Sequence, residues 1–135
     1  MTYPLTNMDG VGPDLAVKLK RVGIRTTGKF LEAAKSPKGR KELSSKTGID
    51  EKLLLKWANM ADRMRIKGIG NDYAELLRVA GVDTVRELKR RNAERLFEAI
   101  REANKKRKLV QLLPSQKAVT RWIERARTLP LKITY

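Results

Sequence analysis

An internal repeat constrains this chain more than any other feature of its sequence. When the sequence is shifted against itself by 58 positions, residues 8–31 fall on residues 66–89 with seven identities. A later match, of "DEKLLLKWANMADRM" with "SQKAVTRWIERARTL", gives each copy one tryptophan. Self-similarity at this spacing is typical of tandem structural units. We therefore expect two units, residues 1–64 and residues 65–135.

Local signals predict that both units are built from short helices. Pro13 suits the first turn of a helix, where its missing N–H is not needed, and Gly23 and Gly81 suit the left-handed residue that ends one. No alternating β-branched run precedes the short "LKITY" stretch. The predicted fold class is all-α, with two repeats packed as one compact helical body. The expected N-caps are Thr26, Ser36, Asp50, Thr84, Asn92 and Ser115.

Apolar residues around the two tryptophans recur at helical spacing. One stripe contains Trp57 and the other contains Trp122. A tryptophan inside such a stripe normally packs in the core. We therefore interpret both as core anchors rather than as platforms on which bases stack.

The glycine pairs that open each repeat are the candidate functional site. In the second copy, the turn Gly68-Ile69-Gly70 separates two predicted helices, and Asn71 begins the second of them. The isoleucine is expected to tuck inward, while both glycines adopt backbone angles closed to other residues. The bare amides then point outward at a helix N-terminus, where an anion is favoured, and Lys67 adds a full charge. The alternative is a helix–helix joint that binds nothing.

These turns resemble the helix–hairpin–helix motif. The positions that match it are Ile66, Gly68, Ile69, Gly70, Ala74 and Leu77 in the second copy, and Met8, Gly10, Val11, Gly12, Ala16 and Leu19 in the first. The resemblance implies binding to the phosphate backbone of DNA without base readout, with a monovalent cation held by the carbonyls of residues 66–70. The motif commonly carries a cation two residues after its second glycine, but this chain has Asp14 and Asp72 there. The first turn therefore has two interpretations, functional or purely structural.

Over its whole length the chain resembles a small prokaryotic family of tandem helix–hairpin–helix units that is catalogued only as a domain of unknown function. The stretch "PKGRKELSSKTGIDEKLLLKWANMADRMRIKGIG" carries that likeness. The link from Gly23 to Thr26 also resembles the helical C-terminal domain of the bacterial RNA polymerase alpha subunit, which reads DNA and activators. These likenesses imply a fold more than a biochemical role.

The charge of the chain points to a polyanionic partner. Lys and Arg number 31 against 15 Asp and Glu, a net charge of +16 that exceeds what solubility requires. Residues 18–46 and 86–132 are strongly basic, whereas residues 47–85 are balanced. Nucleic acid is the expected partner, most simply double-stranded DNA. No predicted helix presents Asn, Gln and Arg together to read a groove, so we expect binding that is independent of sequence or selective for structure. The candidate binding residues are Gly10, Val11, Gly12, Lys18, Arg21, Arg25, Lys67, Gly68, Ile69, Gly70, Asn71, Lys105, Lys106, Arg107 and Lys108.

Composition also excludes several functions. The chain has no Cys and no His, which removes disulfides, Cys/His zinc sites, thiol nucleophiles and His-based triads. No paired carboxylates stand out. We therefore expect no catalytic residues and no metal site, and we expect that the protein is not an enzyme. No apolar signal region follows Met1, and no long apolar run occurs, so we expect a soluble, cytoplasmic protein. The basic residues of no single helix lie opposite a strongly apolar face, so we expect no binding to membranes.

Two other binding roles are compatible with the same sequence. Folds of the helix–hairpin–helix type also dock proteins, so a protein-interaction module or a homodimer is the main alternative. RNA is a further alternative, because phosphate recognition at a turn does not distinguish the two sugars.

Overall fold

The chain consists of helices joined by short turns. The computed structural model describes residues 2–135, none of which lies in a β-strand, and this confirms the all-α prediction. No helix in this range is both long enough and apolar enough to cross a membrane. A short 3-10 helix at Leu5–Asn7 precedes α1 (Pro13–Arg21), α2 (Thr27–Ala34), α3 (Pro37–Thr47), α4 (Glu51–Arg63), α5 (Asn71–Val79), α6 (Val85–Leu88), α7 (Ala93–Arg107) and α8 (Gln116–Thr128).

Most of the helices begin at a side-chain cap, as the sequence predicts. The caps of α2, α3, α4, α7 and α8 are Thr26, Ser36, Asp50, Asn92 and Ser115, and Thr84 forms a capping box with Glu87 at α6. Helices α1 and α5 differ, because they follow Gly12 and Gly70 and have no side-chain cap. Their first N–H groups therefore lack the acceptor that a cap supplies.

The helices enclose one continuous apolar core. Helix α2 packs against α3 and α4, α7 packs against α5 and α8, and α4 reaches α5. Trp57 lies edge-on to Phe30 with ring centroids 6.3 Å apart, and Trp122 lies against Tyr73 at 5.4 Å. Both tryptophans are buried, which confirms their prediction as core anchors.

A buried arginine fixes the end of α4, from which the second glycine turn departs. The guanidinium of Arg63 donates to the carbonyl of Ala74 at 2.8 Å and to that of Asp83 at 2.7 Å. Burial lowers the pKa of Arg63 to about 10, so the side chain stays charged at neutral pH. The two charge-assisted bonds hold α4, α5 and the loop before α6 in one arrangement. The backbone that enters and leaves the second turn is thereby constrained on both sides.

Candidate nucleic-acid interface

The two glycine turns share one backbone geometry. Gly10 and Gly68 have φ of +88° and +97°, in the left-handed region that favours glycine. The next residues, Val11 and Ile69, are buried at 4% and 0% exposure. In each turn, the N–H of this buried residue donates to the carbonyl three residues earlier at 3.1 Å. The inward plug expected at Ile69 is therefore confirmed, and Val11 occupies the same place in the first turn.

The second glycine of each turn does not need a special backbone angle, so the expectation for the second turn is wrong at Gly70. Gly12 has φ −80° and ψ 177°, and Gly70 has φ −95° and ψ −163°. Both pairs of angles describe extended backbone that is open to any residue. A Cβ built on either glycine meets no atom within 4 Å, so neither strain nor packing requires glycine here. Its effect is to leave open space above the first N–H groups of the following helix.

A tryptophan lies close to the first glycine of each turn. A Cβ on Gly68 would lie 3.2 Å from Nε1 of Trp122, and one on Gly10 would lie 3.5 Å from Nε1 of Trp57. Neither indole donates a hydrogen bond to any residue between 2 and 135, yet no side-chain nitrogen in that range is both fully buried and unpaired. Each indole N–H is therefore an unpaired donor beside its turn that is not fully buried. Each turn thereby gains one donor.

Unpaired backbone donors cluster at the second turn. Among residues 2–135, no group accepts from the N–H of Gly68, Gly70, Asn71 or Asp72, and the first bond inside α5 runs from Ala74 to Gly70 at 2.9 Å. Gly68 is exposed and Gly70 is half-buried. These four residues line an open groove of about 630 Å³. Donors at a helix N-terminus favour an anion in that groove.

The first turn lies directly beside the second. The N–H of Asp9 donates to the side-chain oxygen of Asn71 at 2.9 Å, and the hydroxyl of Tyr3 donates to the carbonyl of Ile69 at 3.4 Å. Gly10 and Gly12 border a second groove of about 440 Å³, and Asn71 lines both grooves. The candidate residues of the two turns, 58 positions apart in sequence, therefore form one surface. The segment that leads into the first turn is the short 3-10 helix Leu5–Asn7.

Two arginines that sequence reasoning missed flank the second turn. The guanidinium of Arg125 donates to the carbonyl of Lys67 at 2.7 Å, and Arg121 and Arg125 border a groove that also contains Gly68. Lys67 itself is exposed. The two arginines lie four residues apart, on either side of Trp122, and so share a face of α8. In the sequence, the four-residue spacing of these arginines around Trp122, which matches Trp57 of the first copy, was the signal that could have identified them.

The basic cluster Lys105, Lys106, Arg107 and Lys108 leads into the groove of the second turn. Its side chains are exposed in the last turn of α7 and just beyond, and Lys105 is 3.4 Å from Glu102. Lys108 adopts the left-handed conformation with φ 49° and ψ 48°, which ends the helix. The chain then turns, and residues 109–112 form a wall of the groove. The cluster is thus adjacent in sequence to that wall.

The remaining predicted cations lie away from the grooves. Lys18, Arg21 and Arg25 are exposed, but they border neither the groove at the first turn nor that at the second. Arg21 follows Pro13 by eight residues, which places it roughly 12 Å along the axis of α1 from the turn. The structure therefore does not bring these three residues to the glycine amides.

The two aspartates that depart from the helix–hairpin–helix pattern lie at the helix starts. Asp14 and Asp72 are exposed in the first turns of α1 and α5. Asp72 borders the groove of the second turn, and its carboxylate accepts from the side-chain amide of Asn71 at 3.4 Å. A carboxylate at this position interacts favourably with the helix dipole, but it repels an incoming phosphate.

Several carbonyls of residues 66–70 already accept hydrogen bonds. The carbonyl of Ile66 accepts from Ile69, that of Lys67 from Arg125, and that of Ile69 from Tyr3. Within residues 2–135 there is also no cluster of carboxylates suited to a metal ion. A monovalent cation at this turn stays a prediction.

Comparison with known proteins matches the chain to a family model. The model described as Domain of unknown function (DUF4332) matches residues 9–129, nearly the whole chain. No curated protein and no solved structure matches. The expectation of a family catalogued only as a domain of unknown function is confirmed.

Proposed function

This chain belongs to the DUF4332 family, and we propose that it binds the phosphate backbone of nucleic acid, with duplex DNA as the preferred form. The observation that carries the proposal is the pair of adjacent glycine turns. Each turn offers backbone N–H groups that no residue between 2 and 135 accepts from, and each leads into a helix without a side-chain cap. Such groups bind phosphate oxygens without any base contact.

The proposal includes the assignment of both turns as helix–hairpin–helix elements. A left-handed first glycine, a buried apolar residue and an extended second glycine recur in the same order at residues 10–12 and 68–70. The tryptophan N–H beside each first glycine recurs as well. These shared features support two equivalent elements better than two unrelated joints.

The arrangement of the turns favours a polymer of phosphates over a single anion. Asn71 lines both grooves and bonds to Asp9, so the two sets of donors share one continuous surface. One backbone can contact both sets, and its second contact costs less entropy than its first. The net charge of +16, with Lys67, Arg121 and Arg125 at the second turn, draws a polyanion to this surface.

Binding of this type reads no base edges, so it is independent of sequence or selective for the structure of the nucleic acid, and it requires no catalysis. Amide donors and exposed lysines position a protein on a backbone but carry no sequence information. The hydrogen bond that pairs the turns suits a backbone of fixed shape, which is why a duplex ranks ahead of a single strand. The preference for DNA over RNA rests on the resemblance to the helix–hairpin–helix motif. With neither Cys nor His in the chain, we propose a non-enzymatic role.

Fluorescence anisotropy with labelled duplex DNA, single-stranded DNA and RNA, repeated across salt concentrations, tests the proposal. For about six phosphate contacts on a duplex, the logarithm of affinity should fall with the logarithm of salt at a slope of roughly −5. Lys67→Glu should weaken binding to DNA, and Lys105→Glu measures the contribution of the basic cluster. Lys52→Glu is the matched control, since Lys52 is exposed at the opposite end of α4 from the second turn. The rise of a helix places it roughly 16 Å along the axis from Arg63.

The outcomes separate a site from plain charge attraction. Equal losses for Lys67→Glu and Lys52→Glu would mean that the turns play no part in binding. Tighter binding to RNA than to DNA would mean that RNA, and not DNA, is the ligand. If none of the three nucleic acids binds and light scattering shows a dimer, the chain is an interaction module instead.

A further inference from the structure

One apolar side chain stands out of the surface beside the second turn. Leu112 is 78% exposed, more than any other large apolar residue in the described range. It borders the groove that contains Gly68 and Gly70, and it also borders the neighbouring groove that contains Arg121. A single exposed leucine is common on protein surfaces, so its exposure alone carries no conclusion.

The backbone that carries Leu112 is held in place from both sides. The side-chain amide of Asn104 donates to the carbonyl of Val110 and accepts from its N–H, both at 3.0 Å. The hydroxyl of Tyr73 donates to the carbonyl of Leu112 at 3.0 Å, and Pro114 is buried just beyond. The exposed side chain therefore projects from a fixed segment rather than from a loose loop.

The chemistry around Leu112 matches what surrounds a wedge in a DNA-bending protein. The cations of residues 105–108 precede it, and free amides at Gly68 and Gly70 share its groove. Proteins that kink a duplex combine such phosphate contacts with an apolar side chain pushed between base pairs from the minor groove.

We propose that Leu112 inserts between base pairs of a duplex held at the second glycine turn, so that the protein selects DNA that unstacks easily. The inference rests on the proposed function. Insertion has to break the stacking of one base step, and this costs less at a mismatch or at a flexible pyrimidine–purine step. The ligand class is accordingly a mismatched or otherwise weakly stacked duplex rather than uniform duplex DNA.

The test uses duplexes that carry 2-aminopurine, whose fluorescence rises when it unstacks. Binding of the unchanged protein should raise this fluorescence, and its affinity for a mismatched duplex should exceed that for the matched duplex by about tenfold. Leu112→Ser should abolish both the fluorescence rise and the preference, while the salt dependence stays as it was. Leu131→Ser, at another exposed leucine, should change neither.

Each result bears on the wedge separately from the proposed function. If the unchanged protein binds DNA with a steep salt dependence but without a fluorescence rise, the wedge is wrong and backbone binding stands. The wedge is also wrong if Leu112→Ser unstacks the duplex as well as the unchanged protein does. If the protein binds no DNA at all, both the wedge and the proposed backbone binding are wrong. If Leu112→Ser weakens binding to vesicles containing phosphatidylserine but not to DNA, Leu112 faces a membrane surface instead.

Discussion

The side-chain oxygen of Asn71 accepts a hydrogen bond from the backbone N–H of Asp9 at 2.9 Å, across 62 positions of sequence. This bond joins the two turns, so its loss should loosen both. We expect Asn71→Ala to lower the free energy of unfolding by about 1 kcal/mol, measured by urea denaturation. Asn59→Ala is the control, because its side-chain oxygen accepts only a 3.4 Å bond from Tyr135 and should matter less.

The two glycines of the second turn should respond differently to a methyl group. Gly68→Ala forces a left-handed alanine whose Cβ lies 3.2 Å from Nε1 of Trp122. We expect this variant to lose about 2 kcal/mol of stability. Gly70→Ala meets open space in extended backbone, and its stability should change by less than about 0.5 kcal/mol. Thermal melts compare the two variants, and equal losses would contradict the distinction drawn between these positions.

A carboxylate at Gly70 should separate stability from binding. Gly70→Asp supplies the missing cap of α5, which should raise the free energy of unfolding by a few tenths of a kcal/mol. The same carboxylate occupies the free N–H groups and repels phosphate, so affinity for duplex DNA should fall at least about tenfold. Anisotropy and urea denaturation on one preparation give both numbers.

The corresponding variant at the first turn decides whether that turn binds. Gly12→Asp makes the same change beside the first groove. A loss of affinity close to that of Gly70→Asp would assign a phosphate to each turn. An unchanged affinity would leave the first turn with a structural role only.

Removal of the aspartate at the start of α5 should strengthen binding. Asp72 borders the groove of the second turn, and Asp72→Asn deletes one repulsive charge there. We expect affinity for duplex DNA to rise about fivefold at low salt, with a loss of about 0.5 kcal/mol from the helix dipole. Asp83→Asn, another exposed aspartate, is the comparison and should have the smaller effect. Weaker binding by Asp72→Asn would show that the carboxylate is not in the path of phosphate.

Acid should destabilise the fold through a carboxylate on α5. The hydrogen bond from Arg78 holds the pKa of Glu75 below its ordinary value of 4.5. The folded state therefore binds this proton less readily than the unfolded state. The contribution is complete above pH 4.5 and is lost as pH falls through the lower, folded-state pKa. The pair is partly exposed, so we expect less than about 1 kcal/mol, and Glu75→Gln should remove that part of the acid loss in a series of urea melts.

Sequence sufficed for the local features of the fold. Each N-cap depends on residues within one turn of it, which is why Ser36, Asp50 and Ser115 were predictable from their neighbours. The left-handed glycines at 23 and 81 are equally local. The buried plug at Ile69 followed from one apolar residue between two glycines.

The assembly of the site depends on contacts distant in sequence, and these were not predictable. The hydrogen bond between Asp9 and Asn71 depends on the position of α4, because the second turn follows this helix and must lie beside the first turn. The approach of Arg125 to Lys67 depends on the rotation of α8 about its axis. Charge counting therefore found the basic cluster at 105–108 but gave weight to Lys18 and Arg21, which the packing places elsewhere.

The burial of Ile69 between two glycines that reach the surface means that one residue connects the interior of the protein to its outer face. Its methyl groups sit among packed core atoms, while its peptide groups belong to the turn. Any ligand that shifts the turn by a fraction of an ångström must shift those methyls too, because close-packed interiors transmit small displacements. The NMR resonances of the two Ile69 methyl groups should therefore report the binding of a ligand at the turn, although the ligand does not contact this side chain.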